Sequence, residues 1–341
     1  MATSAAKIKT VNLALQGGGA HGAFAWGVLD RLLDEERLAF EGLTATSAGA
    51  MNAVVLAHGL RVGGRDGAKQ ALSDLWRRVS DGARFAPTQP SPMQLLFGDW
   101  GAPSFGHFAF EVMTRVVSPY QFNPFNLNPL LDMLRESVDF EGLQKSCPLK
   151  LFISATNVRS GKIRVFESHE LTAEAVMASA CLPFLFQAVE IDGEAYWDGG
   201  YMGNPAIYPL IYNCESRDVV ILHINPLYRP DLPTDAFDIM NRVNEISFNS
   251  SLMREMRAIA FVTDMIDKGQ ITHRSMKRML IHAIEAEEEM RDLSVHSKLT
   301  PSLPFLLELR DIGRQTAETW LDATFDKLGT ETSIDLGEIY L

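Results

Sequence analysis

Only three cysteines occur in 341 residues, and Cys147, Cys181 and Cys214 form no C-x-x-C pair. That excludes a disulfide-stapled scaffold and leaves a zinc site or redox dithiol without support; a reducing compartment, the cytoplasm, is the expectation. Basic charge is in deficit. Lys and Arg number 31 against 43 Asp and Glu, for a formal net charge of −12. Such a balance argues against nucleic acid as the main partner, although a local basic face stays open. No stretch of about 18 apolar residues is present, so no membrane-spanning helix is expected. The first ten residues carry lysines but no apolar h-region, and no secretory signal is expected. Any membrane contact would be peripheral, at the inner face.

What is present is an ordinary globular composition, 46% hydrophobic and 22% charged, enough to bury a core. The length allows two domains at roughly 150 residues each. The opening pattern is strand–turn–helix repeated twice. Val11–Leu15 runs into Gly17-Gly-Gly-Ala-His-Gly22, then apolar residues at helical spacing from Ala23 to Glu36. Leu43–Thr46 runs into Ser47-Ala-Gly49, then a helical pattern to about Leu60. This is the rhythm of a parallel α/β sheet. Residues 61–67 read as a loop, and Gln70–Val79 as helix. Residues 85–128 are rich in Pro and Phe and form no regular layer; such an apolar insertion can act as a lid or acyl groove. Strands are expected at 149–154, 163–166 and 219–224, with a hairpin at 189–197 turning on Asp192-Gly193. Thr172 should cap a short helix. Residues 236–268, 272–296 and 304–328 read as three amphipathic helices, and no fixed-period repeat is found.

Three short motifs could carry chemistry. Gly17, Gly19 and Gly22 satisfy G-x-G-x-x-G between a strand and a helix, where backbone N–H groups converge on an anion. A dinucleotide site would also want an acidic residue ending the second strand; Thr46-Ser47 stands there instead. A plain turn serving helix–strand packing is the other reading. Ala45-Thr-Ser47-Ala-Gly49 resembles the G-x-S-x-G nucleophile elbow, a strained strand-to-helix turn that needs small neighbours. Ser47 as a simple helix N-cap is the alternative. Asp198-Gly199-Gly200 supplies a carboxylate, and Asp-Gly is equally a stock turn.

The order of these blocks resembles the patatin-like phospholipase family over about residues 11–213. Gly17–Gly22, Thr46–Gly49 and Asp198–Gly200 carry the likeness, with Ala178–Phe184 as a supporting block before the aspartate. Two positions depart from it. Ala45 stands where the family usually has Gly, and His21 where it commonly has Arg or Lys. A histidine there would be cationic only near or below pH 6.5 if unperturbed.

The resemblance implies an α/β/α sandwich with a mainly parallel central sheet, followed here by a helical C-terminal region, 236–341. It also implies a serine hydrolase of acyl lipids, with no cofactor and no metal. Ser47 would be the nucleophile and Asp198 its base. Backbone N–H groups of Gly17, Gly18, Gly19 and Ala20 would form the oxyanion hole, with His21, Gly22, Ala45, Gly49, Gly199 and Gly200 in support. Three alternatives stand beside this. A Ser-His-Asp triad would need His223, His273, His282 or His296. A non-catalytic lipid-binding protein would follow if the departures at Ala45 and His21 cripple the elbow. A Rossmann-type nucleotide enzyme is the third. Lesser features are Met253, Met256 and Met265, which at helical spacing read mainly as core, and a small basic face of Arg274, Lys277 and Arg278.

Overall fold

The computed structural model describes residues 8–83, 113–114, 116–234, 236–271, 276–290, 293 and 295–341; at 237, 295 and 296 it describes the backbone alone. Most of the 85–128 segment, His273, Arg274 and the His296 side chain lie outside this set.

The apolar runs fold as β1 (Lys9–Leu15), β2 (Leu38–Ala45), β3 (Lys150–Asn157), β4 (Ile163–Glu167), β5 (Val189–Ile191), β6 (Glu194–Asp198), β7 (Asp218–Leu222) and β8 (Leu280–Ile284). They form one sheet in the order β5-β6-β3-β2-β1-β7-β8, with β4 paired to β3 off this path. The central strands β3, β2, β1, β7 and β8 are parallel. Strands β4 and β6 run antiparallel to β3, and β5 to β6. The expected hairpin turns on Asp192 and Gly193, both at positive φ (52° and 79°), as a two-residue turn matched to strand twist requires.

Around the sheet lie α1 (Gly22–Asp34), α2 (Ala48–Gly82), α3 (Ala173–Ser179), α4 (Tyr208–Asn213), α5 (Ala236–Asp267), α6 (Leu303–Thr324) and α7 (Leu336–Tyr340). Alternate strand residues face opposite layers, as the two-residue period demands. Leu13, Leu15, Leu43, Ile153 and Val220 share one core with α1, α2, α3 and α6. Ala14, Phe152, Val219, Ile221 and Ile281 share the other with α4, α5 and α7. The result is the expected α/β/α sandwich, and the continuous apolar character of β7 and β8 follows from burial on both faces.

The C-terminal region is woven into this body. Gly27 of α1 and Gly313 of α6 let the two helices meet backbone to backbone. A Cβ at Gly27 would come within 1.9 Å of the Arg310 carbonyl oxygen, and one at Gly313 within 2.1 Å of that of Phe24. The expected helix over 272–296 is not what forms. Leu280–Ile284 becomes β8 on the open edge of β7, followed by a short helix at Glu287–Met290 and a 3-10 turn at Val295–Leu299. A fully buried run of five residues, apolar but for His282, cannot be told from helix by periodicity alone. The expected loop at 61–67 shrinks to a break inside α2 at Gly63 and Gly64. The helix over 304–328 ends earlier, at Thr324, in a 3-10 turn. Met256 is fully buried and Met253 packs beside it, so these methionines are core. Lys277 donates to the Ile211 carbonyl (2.9 Å) and Arg278 to Asp267 (2.9 Å), so both cations tie elements together.

Candidate active site

Parallel α/β sheets place ligands beyond the carboxyl ends of their strands. There β1 delivers the glycine loop and β2 delivers Ser47. Ser47 has φ 56° and ψ −126°, a left-handed conformation that a residue with a Cβ rarely adopts. Its surroundings hold it there. The Ser47 N–H donates to Ser179 Oγ (2.9 Å). A Cβ on Gly17 would lie 2.5 Å from that of Ser47, and one on Gly49 would lie 2.7 Å from the carbonyl oxygens of Leu15 and Gln16. Ser47 occupies the N-cap position of α2, yet its side chain makes no capping hydrogen bond. The simple N-cap reading therefore fails, and the geometry is that of an elbow. Ala45 is a buried β2 residue registered with Leu15 and Ile153, so its methyl group is accommodated as core.

Asp198 reaches the same place from β6. It ends that strand opposite Ala155, and Thr156 Oγ1 donates to its carbonyl (2.8 Å). Its side chain is buried. Oδ1 accepts the Gly200 N–H (2.7 Å), while Oδ2 is buried with no hydrogen-bond partner among the described residues. Gly199 cannot be replaced without displacing β3, because a Cβ would meet the Ser154 carbonyl oxygen at 2.1 Å. Burial pushes the Asp198 carboxyl up to about 7, opposed by the Gly200 N–H and by the Ser47 hydroxyl. The hydroxyl is thus near enough to act on the carboxyl, although no hydrogen bond of ordinary geometry closes between them.

Ser47, Asp198 and the loop residues Gly17, Gly18 and Gly19 line one cavity of about 250 Å³, whose wall has an apolar part that includes Leu182, Phe184, Leu185, Met240 and Phe248 and a polar part that includes Asn225, Glu245 and Lys298. The loop's N–H groups are not equivalent. Gly17 N–H is taken by Asn204 Oδ1 (2.7 Å). Among the described residues, those of Gly18, Gly19 and Ala20 have no acceptor, and of these only Gly18 and Gly19 border the cavity. Gly19 has φ +58°, and its Cβ position is blocked at 2.4 Å by the Lys298 carbonyl oxygen.

His21 does not supply a cation. It is buried, hydrogen-bonded through Nε2 to Ser297 Oγ (2.7 Å), and held well below the usual histidine range by burial and then by Lys298 and Arg229. Among the described residues no histidine lines the cavity. His223 bonds to the Tyr340 hydroxyl in a separate cavity, where burial lowers it to about 4. His282 does bridge Asp218 (3.0 Å) and Ser333 (3.0 Å), a Ser-His-Asp chain. It lies on β8 and reaches Asp218 at the amino end of β7, away from Ser47, and it fastens the C-terminal segment, where Ser333 N–H donates to the Ile281 carbonyl. His223→Ala is therefore expected to leave kcat/KM for ester hydrolysis within about threefold while lowering the melting temperature through the lost Tyr340 bond. A steady-state assay beside a thermal melt checks both.

Cys181 is buried, donates to the Gln187 carbonyl (3.1 Å), and has its thiol pushed up to about 12 by burial and by Asp198, so it is not a nucleophile. Among the described residues no cluster of His, Cys, Asp or Glu fits a metal. Ser179, Asn204, Asn225 and Lys298 were not legible as site residues. Ser179 at least lies inside the Ala178–Phe184 block; nothing in sequence links Lys298 to Gly19.

A family model described as patatin-like phospholipase matches residues 13–211, more than half of the chain and all of the elements that build this cavity up to α4. The chain belongs to that family. The chain is also similar to solved structures. VipD from Legionella pneumophila shares 17% identity at a TM-score of 0.43, covering 92% of this chain and 66% of that one. The type III effector protein ExoU shares 15% at 0.39, covering 93% and 53%. The heterodimeric ExoU–SpcU complex of the Pseudomonas aeruginosa type III secretion system gives 16% at 0.36, covering 95% and 52%. This patatin-like chain thus spans less than two thirds of the first and about half of the others. No curated protein matches it.

Proposed function

We propose that this patatin-like chain is a serine acyl-ester hydrolase acting on phospholipid or related acyl lipids, through a Ser47–Asp198 dyad. One observation carries the reading: a serine in a strained left-handed conformation and a buried carboxylate oxygen share a cavity with glycine N–H groups, and among the described residues the oxygen has no partner and the N–H groups of Gly18 and Gly19 no acceptor.

In this mechanism Asp198 accepts the Ser47 hydroxyl proton as Oγ attacks the ester carbonyl. The carbonyl oxygen becomes an oxyanion and takes hydrogen bonds from Gly18 and Gly19 N–H, while the amino end of α2 adds its positive potential. Collapse breaks the C–O bond, and Asp198 returns the proton to the departing alkoxide. Water then repeats the sequence on the acyl-serine, giving up a proton to Asp198 and releasing Ser47 and the acid. A lone aspartate is a weak base at its ordinary pKa; a carboxyl pushed up to about 7 suits proton transfer near neutrality. No histidine is required.

A peripheral approach to lipid accords with exposed Phe184 and Met240 at the cavity wall and exposed Val243 nearby on α5. Among the described residues no helix is long and apolar enough to cross a membrane. The three free thiols accord with a reducing compartment.

The oxyanion loop gives a separable test. Gly19→Ala combines a disfavoured φ with a backbone clash, so kcat should fall about 100-fold or more as a donor is misplaced. The measurement is turnover of p-nitrophenyl esters and defined phospholipids by wild type and variant. A wild type inert toward the whole panel would contradict the hydrolase reading; a fully active variant would contradict the loop's role.

A further inference from the structure

His21 is neutral and buried, yet the cavity is not without a cation. The turn Val295–Leu299 lies across the glycine loop and places two adjacent residues on it. Ser297 holds His21, and Lys298 enters the wall of the cavity. The Lys298 ammonium donates to Asn225 Oδ1 (2.7 Å), and Asn225 Nδ2 donates to the Gly17 carbonyl (2.7 Å). Lysine and oxyanion loop are therefore one connected unit. Glu245 is the nearby acid, but its two oxygens are already bonded to Arg229 (2.9 Å) and Arg242 (3.1 Å). It acts on Lys298 only through space. The hydrogen-bond acceptor of the ammonium is thus a neutral carboxamide, which leaves a largely buried positive charge uncompensated by direct contact. A charge in such a position is stabilised by an anion.

We propose that Lys298 is a specificity residue of this site, binding the phosphate group of a phospholipid whose acyl ester lies at Ser47. The inference rests on the hydrolase reading for its ester, but not for its anion. The loop packs against Ser47 at Gly17 and against the Lys298 backbone carbonyl at Gly19, and Ser47, the loop glycines and Lys298 line one cavity. A glycerophospholipid carries its phosphate only a few bonds from an acyl carbonyl, whereas a neutral glyceride has no anion to offer the lysine. The ammonium keeps its proton at neutral pH: burial and Arg229 lower it to about 8, and Glu245 opposes them.

The test uses two ether lipids with the same chain, neither containing an ester: dodecylphosphocholine and 1-O-dodecylglycerol. Their affinities are measured by calorimetry for wild type, Lys298→Met and Lys298→Arg. Lys298→Met should weaken dodecylphosphocholine about tenfold or more and leave 1-O-dodecylglycerol within about twofold, while Lys298→Arg stays close to wild type on both. Equal weakening of both lipids would mean that Lys298 only holds the loop, and would overturn the proposal, as would no change in either. Should the Met variant not fold, wild type alone decides. Dodecylphosphocholine, and not the glycerol ether, should protect Lys298 from acetylation by acetic anhydride, and protection by both or neither overturns the proposal. Selective binding by a protein that hydrolyses no ester would remove the hydrolase reading and leave the subsite standing.

Discussion

Ser47→Ala yields a folded protein whose kcat/KM for ester hydrolysis has dropped by about 10⁴-fold or more, because no other group can form the acyl intermediate. Folding is preserved because the change removes one oxygen and keeps the Cβ that packs on Gly17. The contacts that hold the elbow are made by the backbone and by Ser179, not by the Ser47 hydroxyl. The melting temperature should therefore stay close to that of wild type. Residual turnover above one part in a thousand, in a protein free of wild-type contamination, would mean that another nucleophile serves the site. Cys181 is the nearest thiol by sequence to the motif blocks, and its burial already argues against it.

Asp198→Asn lowers kcat by about 10²–10⁴-fold, the range for loss of a general base, and it removes the acidic limb of the pH profile. In wild type the carboxylate must be ionised to accept the serine proton. With its pKa raised to about 7, kcat/KM should rise about tenfold per pH unit below 7 and level off above it. Stability moves the other way. The folded protein binds this proton more tightly than the unfolded chain, whose carboxyl has the ordinary value of 3.8. Stability is therefore lost as pH climbs from about 4 to about 7, and the loss is complete above that. Asparagine carries no charge to bury and places a donor where Oδ2 had no partner. Asp198→Asn should thus melt higher than wild type, by more at pH 8 than at pH 5. A thermal melt series across pH reads this directly. A variant that is both inactive and less stable at pH 8 would contradict the account of a strained, desolvated base.

Much of the candidate site is legible in the sequence, and for a physical reason. Each motif is a local backbone solution: glycines where backbones touch at Gly17, Gly49 and Gly199, a small-residue turn at Ser47, an Asp-Gly turn after β6. Local solutions leave local sequence marks. The hairpin at Asp192-Gly193 and the Thr172 cap were visible on the same grounds. What stayed hidden depends on contacts between distant segments. Strand β8 is a strand because β7 offers an edge, which a buried apolar pentapeptide does not announce. His21 reads as a weak cation in sequence, and only the position of Ser297 and burial make it a neutral anchor. Asn204 takes the Gly17 N–H, and so removes it from the candidate oxyanion donors, by a bond spanning 187 residues. Lys298 reaches the loop from the break between two stretches that read as helix, 272–296 and 304–328, so no spacing rule could have paired it with Gly19.

The central claim is that Ser47 is a nucleophile activated without histidine. Labelling with a fluorophosphonate probe, followed by peptide mapping, addresses it most directly. One adduct on Ser47 is predicted, absent from Ser47→Ala, much slowed in Asp198→Asn and undiminished in His223→Ala. An adduct on another residue, or labelling that depends on His223 rather than Asp198, would contradict it.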